Sequence, residues 1–422
     1  VEANDPQGGQ SYQDWADAVD LGANFQDVDD NGIYDPQIDR PDILGDRTSF
    51  CVYNDGTGDD IRSQGLLTDP MGLEVLQTVF AFAFEDELGN VVFFRYRFVN
   101  KGDADINDLL FSIWADPDIG AAEDDLIGSD TLLSLGYIYN DGSDANYGNN
   151  PPAFGVDFFQ GPIVASPGDT ALLYQGPWFG IDTVLDFRNL PLTSFVFYNN
   201  ANDPDPFASP RENPERARDY QEGGKNGLGE PIDPTAFGLG GTANDNPLYF
   251  YTGEPEAGTG WRDNTAADKR FLVNTGPFEL ARWNDTNGNG RPDLEEPGVQ
   301  DIVVAYVVGR GSNATNSVTV LKEVDQVAQA AYNSNFIVAG PPPPPAVTVR
   351  TFDQKIEFIV DLDQNESFYY NKRDSLNNLQ VFEGIKIYQF ASPSTNELEG
   401  GLPNKQLLTS FDTVSYTHLT LP

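Results

Sequence analysis

The stretch WNDTNGNGRPDLEEPG, residues 283–298, sets oxygen-bearing side chains at the intervals of a calcium loop. Asp285, Asn287 and Asn289 fall at positions 1, 3 and 5 of the pattern D-x-[DN]-x-[DN]-G-x5-E, with Gly290 at position 6 and Glu296 at position 12. Calcium takes about six to eight hard oxygens. Arg291 is expected to offer its backbone carbonyl, Asp293 to bind directly or through water, and Glu296 to close the shell with two oxygens. Pro297-Gly298 starts no helix, so the loop is EF-like rather than half of an EF-hand. The competing reading is a Gly/Asn turn whose acids are solvated.

A second segment, DVDDNGIYDPQID at 27–39, repeats the spacing. Asp27, Asp29, Asn31, Gly32 and Asp35 take positions 1, 3, 5, 6 and 9, and Ile33 would lend its carbonyl. Position 12 is Ile38, so Asp39 or Asp42 has to close the loop. A third group, Asp116, Asp118, Asp124, Asp125 and Asp130, crowds a predicted strand exit. Carboxylates packed this closely repel unless a cation or solvent separates them. The expected cofactor is calcium.

Asp and Glu outnumber Lys and Arg by 66 to 24, a formal charge of −42. That field disfavours nucleic acid and anionic lipid surfaces, and it opposes compaction unless cations screen it. Aromatic residues make up 12% of the chain, too many for a disordered acidic tail. The single cysteine, Cys51, allows no internal disulfide, and its apolar surroundings in SFCVYN predict a buried thiol. No apolar run is long enough to span a membrane.

The elements that must carry these loops read as strands. LEVLQTVFAFAF (73–84) and VVFFRYRFV (91–99) alternate and flank a short connection, which predicts an antiparallel hairpin. Leu76, Phe80, Phe82 and Phe84 share one face of the first strand. Val92, Phe94, Tyr96 and Phe98 share one face of the second, with Arg95 and Arg97 opposite. DLLFSIWADPD (108–118) reads as the next strand and DIVVAYVVGRG (301–311) as a buried one. The predicted class is mostly β: antiparallel β-sandwich domains with long loops and one short helix before a Pro-rich linker. That helix lies within 317–336, with Val324, Val327, Ala328 and Ala331 on its apolar face. The expected organisation is a loop-rich calcium-binding region at 1–70, a large sandwich at 71–338 with a loop insertion at about 200–270, a linker at 339–346, and a smaller β domain at 347–422.

Two groups of residues carry a resemblance. FRYRFVNKGDADINDLLFSIWADPDIGAAEDDLIGSDTLLSLGYIYN (94–140) with YGNNPPAFGVDFFQGP (147–162), and SVTVLKEVDQVAQAAYNSNF (317–336), resemble segments of large surface proteins exported by the type IX pathway of Gram-negative bacteria. Gln354–Phe358 and Phe382–Tyr388 resemble strands of the fibronectin type III-like domain that follows in that family, with Val360 where a Trp is usual. The resemblance implies an extracellular or cell-surface location more than an activity. The end, VSYTHLTLP (414–422), looks like one reading frame of a sequencing adapter, so the natural chain is expected to differ beyond about residue 413. His418, the only histidine, lies in it and receives no role.

No HExxH, Walker or GxSxG motif occurs, and without a histidine no His-based triad forms, so the chain is not expected to be an enzyme. The leading expectation is a calcium-binding structural protein that self-associates into a homo-oligomer or polymer, an extracellular filament or sheath. An adhesin or carbohydrate-binding module is the alternative, with a secreted glycoside hydrolase third, since two carboxylates suffice for that chemistry. Trp178, Phe179, Tyr249, Tyr251 and Trp261 could stack on glycans, meet a neighbouring subunit, or pin their loops onto their own domain. Sequons at Asn284, Asn313 and Asn365 are formal glycan acceptors.

Overall fold

A computed structural model describes residues 1–56, 69–84, 87–176, 180–200, 203, 214–226, 229–336, 346–352, 355–361, 384–390 and 405–412. Trp178, Phe179, Phe382, Asn365, His418 and the run of prolines lie outside these residues. The chain divides into two compact units, Val1–Asn335 and Phe336–Pro422.

The first unit opens with helix α1 (Gln10–Asp20), the short pair β1 (Phe25–Gln26) and β2 (Arg40–Pro41), and β3 (Arg47–Asn54). Next come β4 (Leu73–Ala81), β5 (Val91–Asn100), β6 (Ile106–Ala115), β7 (Asp125–Asp130), β8 (Leu135–Asn140) and β9 (Ala153–Gln160). They are followed by β10 (Ile163–Gly176), β11 (Gly180–Asn189), β12 (Ser194–Asn199), α2 (Pro214–Glu222), β13 (Lys269–Leu280), β14 (Val299–Gly309) and α3 (Ala314–Asn333). The second unit holds two antiparallel pairs, β15 (Ala346–Phe352) with β16 (Lys355–Asp361), and β17 (Gly384–Phe390) with β18 (Lys405–Asp412).

The architecture is mostly β and antiparallel, a sandwich of a seven-stranded sheet (β3-β4-β5-β14-β9-β8-β7) and a three-stranded sheet (β12-β13-β6). One core joins them: Val75, Tyr96, Phe98, Val156, Phe158, Ile302 and Val304 from the large sheet meet Ile113, Phe195, Val196, Phe271 and Val273 from the small one. The chain changes sheets between β5 and β6, so β6 pairs with β13 and not with the preceding hairpin. Its faces are as the alternation predicts, with Ile113 buried and Trp114 half-exposed.

The outer face of the large sheet departs from expectation. Arg95 and Arg97 do not reach solvent; they are 5% and 8% exposed. Asp301 on β14, fully buried, accepts from Arg95 Nε at 2.7 Å and from Arg97 Nε at 2.9 Å. The N-terminal residues cover this face. They were expected to be loop-rich, yet β3 is the edge strand of the large sheet. Helix α1 buries Tyr12, Trp15 and Val19, which share one helical face. Cys51, predicted buried, is exposed, because β3 turns Thr48 inward and Cys51 outward on an edge strand with cover on one side only.

Helix α3 packs elsewhere on the same outer face. Its approach requires glycine at 309, where a Cβ would lie 2.1 Å from the Leu321 nitrogen. Asn313 caps it by accepting from the Asn316 N–H at 3.0 Å. Val324, Ala328 and Ala331 are buried as predicted, but Val327 is exposed, and Val318 and Leu321 complete the buried stripe. Two further helices, α1 and α2, were not anticipated.

Between α3 and β9 lie two facing carboxyls, Asp157 and Asp325, 0% and 1% exposed. Among the described residues none of their four oxygens has a hydrogen-bond partner, although the Phe158 N–H is near enough to favour the Asp157 carboxylate. Lys322, one turn earlier on α3, is held by Asp130 and Glu254 at 2.9 and 2.8 Å. Burial pushes the Asp325 carboxyl up to about 7 and Asp157 well above the ordinary range, so the folded pair retains a proton that the unfolded chain releases above about pH 4. A raised folded pKa means stability falls as pH rises. Urea denaturation is expected to show a loss of up to about 1.4 kcal/mol per pH unit per retained proton between roughly pH 5 and 8. Asp325→Asn, which keeps a donor but cannot ionise, is expected to flatten that slope; an unchanged slope would contradict the shared proton.

Candidate metal centre

The 27–39 loop leaves β1 and returns at β2. Asp27 sits at its mouth and accepts from the N–H groups of Asn31 (3.1 Å) and Gly32 (2.6 Å). Asn31 Oδ1 accepts from the Ile33 N–H at 2.7 Å. Gly32 lies at φ +75, the left-handed region the turn demands. Asp39 is fully buried and accepts from the Val28 N–H (2.8 Å) and the Asp35 N–H (2.7 Å).

The 285–296 loop has the same hydrogen-bonded frame. Asp285 accepts from the Gly290 N–H at 2.9 Å, and Asn289 Oδ1 from the Arg291 N–H at 2.7 Å. Gly290 lies at φ +74. Glu296 accepts from the Thr286 N–H at 2.6 Å and, weakly, from the Asp293 N–H at 3.4 Å. In both loops the closing acid therefore binds the N–H groups of positions 2 and 9. This equivalence assigns the closing place in the first loop to Asp39, one residue past Ile38. Asp42 lies apart; burial pushes its carboxyl up to about 6 although Arg95 is near.

The loops differ in how their acids gather. Oxygens of Asp27, Asp29 and Asp39 lie within 4.8 Å of one another. Burial, with the charges of Asp39 and Asp27, raises the Asp29 carboxyl above its usual range. An ion bound at about 2.3–2.6 Å from each ligand can span oxygens up to about 5 Å apart, so this carboxylate set fits calcium by spacing and by hardness. Asp35 faces away from the set, its Oδ1 accepting from the Gln37 N–H at 2.8 Å.

In the second loop the acids are not drawn together. Asp293 Oδ2 accepts from the side-chain amides of Asn287 (2.7 Å) and Asn289 (2.9 Å), and Asn287 stands at position 3, where the first loop has Asp29. Both Glu296 oxygens are engaged, one by Thr286 and the other by Trp283 Nε1 at 2.9 Å. Burial would raise the Glu296 carboxyl, but these donors hold it below its ordinary value. The second loop is held by its neighbours: Arg291 lies over the ring of Phe25 on β1, 5.1 Å from its centroid, and Arg97 Nη1 donates to the Pro292 carbonyl at 2.9 Å.

The third group separates. Asp116 and Asp118 converge with Asp268, a residue the sequence does not single out, again within 4.8 Å. Asp124 instead accepts from Asn140 Nδ2 at 2.5 Å. Asp125 is fully buried at the start of β7; burial, then the charges of Asp124 and Asp118, push its carboxyl up to about 8. Asp130 pairs with Lys322 and leaves the group.

The loop aromatics pin their loops onto their own domain. Trp261 is fully buried with its Nε1 donating to the Phe237 carbonyl at 2.6 Å, and Tyr251 is 4% exposed. Tyr249 donates to the Leu192 carbonyl at 3.1 Å. Neither Tyr251 nor Trp261 offers a face to a glycan or a neighbouring subunit, and residues 229–263 form a loop-rich insertion without helix or strand that Phe250, Tyr251 and Trp261 anchor to the core.

Fold and site together define a class: an acidic antiparallel β-sandwich bearing paired Asp/Asn/Gly loops and converging carboxylates. No family model, curated protein or solved structure matches the chain. Among the described residues no helix is long and apolar enough to cross a membrane.

Proposed function

We propose that the chain is a secreted, calcium-binding structural protein of the bacterial cell surface. In this reading it belongs with the type IX-exported surface proteins its segments resemble and assembles into an extracellular filament or sheath. The observation that carries the calcium part is the convergence of Asp27, Asp29 and Asp39 inside a loop framed like the EF-like loop at 285–296. Asp27, Asp29 and Asp39 would hold the ion, which supplies charge neutralisation and a cross-link between β1 and β2.

Assembly is supported by two features. A charge of −42 keeps copies apart until cations cancel part of it. The large sheet ends in β7, whose outer edge the 251–267 segment covers, and in β3, which Glu2 bridges at Arg47 while Ser49–Asn54 continue beyond it as an edge of the kind that accepts an added strand. Against the adhesin reading, Tyr251 and Trp261 are buried, while Trp178 and Phe179 lie outside the described residues. Sedimentation and negative-stain electron microscopy in millimolar calcium are expected to show polymers that disperse with chelator. Monomers under both conditions would overturn the assembly and leave calcium binding to its own tests.

A further inference from the structure

Acceptor oxygens without hydrogen-bond partners gather at one end of the sandwich. Asp125 Oδ1, Asn140 Oδ1, Asn199 Oδ1 and Asp268 Oδ1 are all buried and unsatisfied. Asp125 and Asn140 are direct cross-strand partners, at the start of β7 and the end of β8. Asn199 ends β12 opposite Lys269, the first residue of β13, and Asp268 precedes it. The Ala267 N–H donates to the Asp125 carbonyl at 3.2 Å, tying the β13 entrance to β7. Asp116 and Asp118 follow β6. The ends of five strands, from both sheets, thus bring oxygens toward one another.

Few donors compensate them. Arg270 Nε takes one Asp116 oxygen at 2.9 Å, and Asn200 Nδ2 takes one Asp268 oxygen at 2.9 Å. Lys269, the other nearby cation, is committed to Asp263. Three carboxylates against one guanidinium leave a net negative pocket of hard oxygens, with a fully buried carboxyl beside it. An unsatisfied buried acceptor pays its desolvation without return, and a bound cation removes that cost.

We propose that Asp116, Asp118 and Asp268 form a divalent-cation centre of the calcium class at the junction of the two sheets, with Asn199 and Asp125 completing its oxygen lining. It stands on different residues from the 27–39 loop, so either can fail alone. Its role would be to hold the strand ends of the two sheets together.

Terbium luminescence tests this on the full chain. Trp114 lies on β6 two residues before Asp116, and the Arg270 guanidinium that pairs with Asp116 sits 5.8 Å from its ring centroid, so Trp114 is placed to sensitise an ion there. The expected result is tryptophan-sensitised terbium emission that calcium competes away. Asp118→Asn, at an exposed position, is expected to weaken terbium binding at least tenfold. Trp114→Phe is expected to dim the emission without changing affinity, and Asp29→Asn to leave this signal intact. Wild-type titration curves in both Asp118→Asn and Asp268→Asn, or loss of the whole signal in Asp29→Asn, would overturn the centre.

Discussion

Stripping calcium with a chelator is expected to lower the melting temperature by about 4 °C for each centre it empties. Ligand that binds only the folded state stabilises by RT ln(1 + [L]/Kd), about 2.7 kcal/mol at one hundred times Kd. Extracellular calcium modules bind at about 0.1–1 mM, so roughly 10 mM calcium reaches that ratio for the tighter ones. A folded unit of this length loses about 0.7 kcal/mol of stability per degree near its midpoint. Screening of the −42 charge by any salt would mimic part of the effect. Sodium chloride at matched ionic strength is the control, and it is expected to recover little of the shift. Equal protection by sodium would reduce the ion's role to screening.

The second large effect is expected at Asp301, which holds two guanidiniums at once. Burial alone would raise its carboxyl, but Arg95 and Arg97 outweigh that and hold it below its ordinary value. The ion pairs therefore act at neutral pH and are lost only as pH falls through the depressed folded value. Asp301→Ala leaves the hydrogen bonds of two buried guanidiniums to the Tyr174 and Pro292 carbonyls, at 3.1 and 2.9 Å, with Asp42 the remaining acid beside them. Breaking a buried pair this way costs about 3–5 kcal/mol, or about 4–7 °C in melting. Replacing all three charges with apolar residues of similar size is expected to recover much of the loss, because no charge is then left unpaired. A wild-type midpoint in Asp301→Ala would show that solvent reaches the guanidiniums. Since Arg97 also holds the 285–296 loop by the Pro292 carbonyl, Asp301→Ala should loosen that loop.

Local chemistry was legible in the sequence where it depends on neighbours in the chain. The spacing of Asp27, Asp29, Asn31 and Gly32 sets the turn directly, and the loop folds as that spacing requires. Spacing alone does not choose between Asp39 and Asp42 as the closing acid, because one extra residue in a loop shows only when the N–H groups of Val28 and Asp35 find Asp39. The motif at 285–296 matches the pattern better, yet its acids converge less. Asparagine passes the pattern at positions 3 and 5, but here its amide NH2 occupies Asp293.

What the sequence hid was long-range. Asp268 joins Asp116 across about 150 residues, and Asp301 meets Arg97 across 204. Alternation in β5 correctly put Arg95 and Arg97 on one face, but nothing local said that α1 and β10 would cover it. A signal for α1 was present in Tyr12, Trp15 and Val19 and was overshadowed by the Gly- and Asp-rich flanks. Trp261 and Tyr251 sit in loop-like sequence but are core residues, since aromatic residues among glycines often fasten a loop.

The central claim is that Asp27, Asp29 and Asp39 hold calcium, and equilibrium dialysis of chelator-stripped protein against calcium tests it most directly. The account predicts saturable binding in the millimolar range or tighter, with the stoichiometry of the wild type reduced by one in Asp29→Asn while that variant keeps its fold. Binding that never saturates, or an Asp29→Asn protein that takes up as much calcium as the wild type, would contradict it.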